Sequence, residues 1–124
     1  AIVSGFKAMA MILAYLMVFT IGINILEHLG VFSVINNQGV AASFKGIFEM
    51  TIGINLVGMC DMGIRLKSVI AAFLVSFGGL SVAGQSMSMA RGSGIGLADI
   101  LKIKLTHGMI AAIITTILIH IVVI

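Results

Sequence analysis

At 124 residues, 60% hydrophobic and 9% charged, this chain has too few charges to coat a water-facing surface, which ordinarily takes about a quarter. Its net charge of +3 comes from basic residues standing singly or in pairs beside apolar segments, and one tyrosine with no tryptophan leaves little for base stacking, so nucleic acid is excluded as a partner. A single cysteine, Cys60, excludes an intrachain disulfide and a paired-cysteine metal site.

The composition therefore predicts an all-α, polytopic integral membrane protein whose first partner is the lipid bilayer. At about 20 apolar residues per span, four membrane segments fit at most. Glycine is abundant and proline absent, in keeping with membrane helices whose backbones approach closely. The start at Ala1 fits a processed protein or one part of something longer.

The first segment, Ala8 to Leu26, carries no charge; Lys7 marks one end and Glu27–His28 the other. It reads as a complete span, too long for the core of a signal peptide and with no cleavage site after it. Ala10 and Ala14 offer a small face to a neighbouring helix. A polar stretch follows from Ser33 to Ser43, with the turn-forming run Asn36-Asn37-Gln38-Gly39.

The middle differs. Gly46 to Cys60 is apolar but short, holds Glu49, Thr51 and Asn55, and is interrupted by Gly46, Gly53 and Gly58. Ser68 to Ala90 is long enough to span, yet its centre reads Phe77-Gly78-Gly79-Leu80-Ser81, with Gly84 and Gln85 beyond. Each glycine costs about 1 kcal/mol of helix propensity, so this segment is expected to be a broken helix or a re-entrant hairpin. A fold-back there would also bring Lys7, Arg65/Lys67 and Lys102/Lys104 to one side. Leu97 to Lys104 alternates apolar and charged residues, as an interfacial turn would, and Leu105 to Ile124 is the second full span, with Gly108 and Ala112 as a small face.

Glu49 is the first candidate for function, because an ionisable group inside a membrane segment costs about 2.5–3.5 kcal/mol and usually faces a cavity or a partner. Its plain alternative is an interfacial pair with Lys45, four residues away. An unwound stretch at Gly53 would aim Glu49, Thr51 and Asn55 at one point. Ser81 and Gln85 form a second polar cluster beside the breaks at Gly78, Gly79 and Gly84, and transporters place their substrates at such breaks. His107 could act as a polar relay, although interfacial hydrogen bonding is the commoner use; His120 lies about 220° further around the helix and does not join it. The histidines and the cysteine show no metal-ligand spacing, and no nucleophile–base pattern suggests an enzyme. No cofactor is expected.

The stretches Phe48-Glu49-x-Thr51-x-Gly53, Phe77-Gly78-Gly79-Leu80-Ser81-Val82-x-x-Gln85 and His107-Gly108 resemble nucleoside-recognition Gate domain membrane proteins, most of all the C-terminal half of the YlbJ-type sporulation integral membrane proteins and their YjiH-like relatives. The likeness covers nearly the whole chain, so residues 1–124 would form one Gate-type repeat. It implies one half of an inverted-repeat transporter in the bacterial inner membrane, with two full spans and two broken or re-entrant segments around a midplane site. The cargo it implies is a nucleoside-like solute or an aromatic carboxylate such as dipicolinate. Carried over residue by residue, Glu49, Thr51, Gly53, Gly78, Gly79, Ser81 and Gln85 occupy the matching positions. The family usually has a histidine two positions before the glutamine, where this chain has Ala83. A second repeat, a paralogue or another copy of the chain would have to complete the transporter. The competing expectation is a non-transporting structural or assembly subunit of a membrane complex, again in spore formation.

Overall fold

The computed structural model describes residues 1–122, so Val123 and Ile124 of the last expected span lie outside the described residues. The described chain is all α: α1 (Ile2–His28), a 3-10 turn (Val31–Val34), α2 (Gln38–Phe48), α3 (Met50–Met59), α4 (Ile64–Phe77), α5 (Gly79–Met89) and α6 (Leu97–Val122). Three stretches are long and apolar enough to cross a membrane: α1, the broken rod Ile64–Met89 formed by α4 and α5, and α6. Only 6% of the most apolar stretch of α1 and of α6 is buried within the chain, against 33% for the broken rod. Helices apolar on every side and so little covered suit lipid or another protein, not water. By length and composition these three stretches suggest an integral membrane protein. Leu97–Lys104, expected as an interfacial turn, is the first part of α6 itself.

The short segment expected from Gly46 to Cys60 is instead the end of one helix and the whole of another. α2 starts at Gln38, inside the stretch read as a polar connection, because Asn37 caps it. The Asn37 Oδ1 accepts the N–H groups of Gly39 and Val40 at 2.9 and 3.2 Å, two donors that a helix start otherwise leaves unpaired. At Glu49 the backbone turns extended (φ −144°, ψ 112°), which ends α2, and α3 starts at the next residue. The two short helices then pack back along each other as a hairpin with Glu49 at its tip. Each arm is about 15 Å long, half the thickness of a hydrocarbon core.

Glycine makes this hairpin tight. A Cβ on Gly53 would run into the Gly46 Cα and would lie 2.7 Å from the Gly46 nitrogen. Backbones that close require hydrogen in place of a side chain on both arms. Around the crossing, Ala42, Val57, Cys60 and Leu74 form the core, with Ile54, Leu56, Ile70 and Phe73 packed against it.

The 68–90 segment is a broken helix and does not fold back. Gly78 and Gly79 both take left-handed φ angles, 79° and 74°, which a side chain would resist. The break redirects the chain: α4 lies along α6, whereas α5 packs on α1, α2 and α6, and the two halves do not lie side by side. Gly108, half of the small face expected on α6, is buried against the Phe73 ring of α4. Ala10 and Ala14 of α1 are exposed, so the other small face is unused within this chain.

Candidate functional site

Both interruptions of the fold meet. A Cβ on Gly79 would stand 3.2 Å from the Gly46 oxygen, the Ile47 oxygen and the Met50 nitrogen. The hairpin tip therefore rests directly on the break between α4 and α5, and the N-terminus of α5 abuts the N-terminus of α3. Helix N-termini carry partial positive charge. The Gly46 and Ile47 oxygens close the end of α2 at the same break, so partial negative charge stands beside the positive. Glu49 sits at this junction, 3% exposed.

The Glu49 carboxylate has a defined local partner. Its Oε2 accepts the Ile52 N–H at 2.9 Å, making Glu49 the cap of α3. The pair with Lys45 expected as the plain alternative does not form. Lys45 lies in α2 and turns away, because the extended Glu49 backbone interrupts the helix that would have stacked the two side chains. Instead the Lys45 Nζ donates to Glu27 Oε1 at 2.8 Å and stands 5.1 Å from the centre of the Phe32 ring.

Ser81 and Gln85 lie on α5 just past the break. Ser81 is 1% exposed, and Gln85 Nε2 donates to its Oγ over a long 3.4 Å. Thus the Glu49 turn meets Gly79 of the break, with Ser81 two residues and Gln85 six residues further along α5, while Gly53 lies one turn down α3 against Gly46. Thr51 and Asn55 do not converge on Glu49. Both are exposed, one turn apart on the outer face of α3, because α3 stays helical through Gly53 and only Glu49 is unwound. Other hydroxyl groups of the chain bond to the carbonyl four residues back, as Ser43, Ser68, Ser86, Thr106 and Thr116 do. For Thr51 that carbonyl belongs to Ile47, across the break. Neither the Thr51 nor the Asn55 side chain has a hydrogen-bond partner among the described residues.

His107 is exposed on α6, and His120 bonds through Nδ1 to the Thr116 oxygen at 2.8 Å. Gly84 receives the Tyr15 ring, whose hydroxyl bonds to Ser88 Oγ at 2.5 Å and ties α1 to α5. Ala83, standing where the resembled family has histidine, is fully buried. Sequence reasoning missed Lys45 and Tyr15 as organising residues. The signal for Lys45 was present, a lone lysine in an apolar stretch, but its spacing pointed to Glu49. Among the described residues no three of His, Cys, Asp and Glu are gathered as a metal site would need.

No family model matches this chain, and no curated protein or solved structure matches it.

Proposed function

We propose that the chain is one repeat of a membrane transporter for a small solute, with its site where the hairpin tip meets the broken helix. The observation that carries this reading is the contact of the Glu49 turn, with its buried carboxylate, against the Gly78–Gly79 break. Discontinuous helices in membranes leave backbone N–H and C=O groups that protein, water or cargo must satisfy, and secondary transporters bind substrates at such half-helix ends. Glu49 would accept from a hydroxyl or ring N–H of a nucleoside-like solute, and Ser81 and Gln85 on the facing half-helix would donate to the oxygens of either solute. Thr51 and Asn55, unpartnered on the outside of α3, would meet the solute or a second repeat. The likeness to Gate domain proteins supplies the solute class, a nucleoside or an aromatic carboxylate such as dipicolinate, and a place in the inner membrane of a spore-forming bacterium.

The test is uptake of radiolabelled uridine and dipicolinate into proteoliposomes containing the wild type, Glu49→Gln or Gln85→Ala. Loss of uptake in both variants supports the site; uptake unchanged in both removes it. A second reading, a non-transporting subunit of a membrane complex, draws on the fact that Glu49 already has a structural task as the cap of α3. Single cysteines placed from position 78 to 86 in a Cys60→Ser background separate the two. A transport site reacts with a water-soluble thiol reagent from one side of the membrane, and a packed interface stays silent.

A further inference from the structure

We propose that the recess between α2 and α3 beside Lys45 binds a small oxyanion, a carboxylate or a phosphate, carried on a short apolar body. Lys45 is a buried cation, 9% exposed. An ammonium group taken out of water needs an anion beside it, and here that anion is Glu27 at 2.8 Å. The Glu27 side chain is itself 56% exposed. Glu27 is solvated whether or not it holds Lys45, so a second anion can take its place at little cost, whereas Lys45 must keep one counter-ion throughout. Phe32, 5.1 Å away, holds the ammonium against its ring face without neutralising it. Lys45 is thus a fixed charge with an exchangeable counter-ion.

The recess that Lys45 borders has a volume of about 270 Å³, with Gln38, Ala42, Leu56, Met59 and Cys60 among its walls. Its apolar floor suits hydrocarbon. Gln38, two helical turns before Lys45 on the same face of α2, adds an amide donor at the edge. This volume falls just below the roughly 300–1,000 Å³ of drug-sized sites, which limits the apolar body to one ring or a short chain. None of Glu49, Ser81 and Gln85 borders this recess. The recess is therefore a separate site, and its test reads binding and not transport.

The experiment measures radiolabelled benzoate bound to the purified full chain in neutral detergent, in the wild type, Lys45→Met and Glu27→Gln. Alkylation of Cys60, which lines the recess, reports where the probe sits. Saturable benzoate binding that slows Cys60 alkylation is expected in the wild type. Lys45→Met should abolish it, and Glu27→Gln, which removes the competing anion, should tighten it about two- to fivefold. The source of the natural oxyanion follows from nanodiscs: weaker benzoate binding in phosphatidylglycerol than in phosphatidylcholine assigns a lipid headgroup, and equal binding assigns a free solute. No saturable binding, or binding unchanged by both substitutions, overturns the proposal. Because the two variants are expected to move in opposite directions, a general loss of folding cannot imitate the result.

Discussion

Three glycines of the hairpin should respond to alanine in an order set by what each new methyl group meets. At Gly53 the methyl meets Gly46 backbone, which can move only if α2 and α3 separate. Overpacking that cannot be relieved by a side chain costs about 1–3 kcal/mol. At Gly46 the nearest obstacles are Leu74 Cδ1 and Cδ2, at 2.6 and 2.9 Å, the far end of a flexible side chain. Leu74 is buried, so its repacking has a cost, but the cost falls in the lower part of that range. At Gly58 nothing lies within 4 Å, and alanine there should be neutral or gain up to about 1 kcal/mol of helix propensity. In thermal unfolding of the purified chain, 1 kcal/mol corresponds to about 4 °C at this size. Gly53→Ala should therefore lower Tm by roughly 4–12 °C, Gly46→Ala by less, and Gly58→Ala not at all. Equal effects at Gly53 and Gly58 would refute the close crossing of the two arms.

Two further substitutions probe the junction. Glu49→Ala removes the cap of α3 and should destabilise by about 0.5–2 kcal/mol, whereas Glu49→Gln keeps an oxygen for the Ile52 N–H and should retain the thermal stability of the wild type; equal losses would mean that the charge, not the cap, holds the tip. Ala83→His places an imidazole at a position with no exposed surface, and overpacking alone should cost about 1–3 kcal/mol, read as a lowered Tm; wild-type stability would show that α5 can accept the histidine of the resembled family.

The long helices were legible because a run of apolar residues bounded by charges has one reading, and α1 and α6 have it. The break at Gly78–Gly79 was legible because no side chain favours that backbone. Of the two forms expected for 68–90, a broken helix and a fold-back, the structure has the first, and the sequence leaves them open for a physical reason. A Gly-Gly pair can kink or reverse a helix, and which occurs depends on what packs beside it; here α6 runs along α4 and on to α5, which α1 and α2 also hold. The true hairpin has no glycine at its tip. It turns on Glu49, whose side chain supplies the cap that lets a new helix start at once, and an interior glutamate looked like a ligand before it looked like punctuation. Thr51 and Asn55 followed Glu49 into one predicted cluster because their spacing was read for an unwound chain, and α3 is helical. The Lys45–Glu27 pair spans 18 residues and two elements, a contact no local spacing announces.

A fold-back at residues 38–59, with Ile64–Met89 crossing once, changes what the charges say about orientation. With the three long stretches each crossing once, Lys7, Arg91, Lys102 and Lys104 belong to one end of the bundle and Arg65 and Lys67 to the other. Basic residues near span ends favour the cytoplasmic side, so the two groups compete. The structure gives part of the second group other work. Lys67 Nζ donates to the Gly58 oxygen at 2.8 Å, near the end of α3 where carbonyls lack helical partners. Lys7, Arg91, Lys102 and Lys104 have no hydrogen-bond or ion-pair partner among the described residues. They outnumber the other pair and have no task but the membrane surface. The end bearing Lys7 should therefore face the cytoplasm. In a Cys60→Ser background, a cysteine at Ser4 should be shielded from an impermeant thiol reagent in intact cells, and one at Ser33 should react. The reverse pattern would show that Arg65 and Lys67 set the orientation.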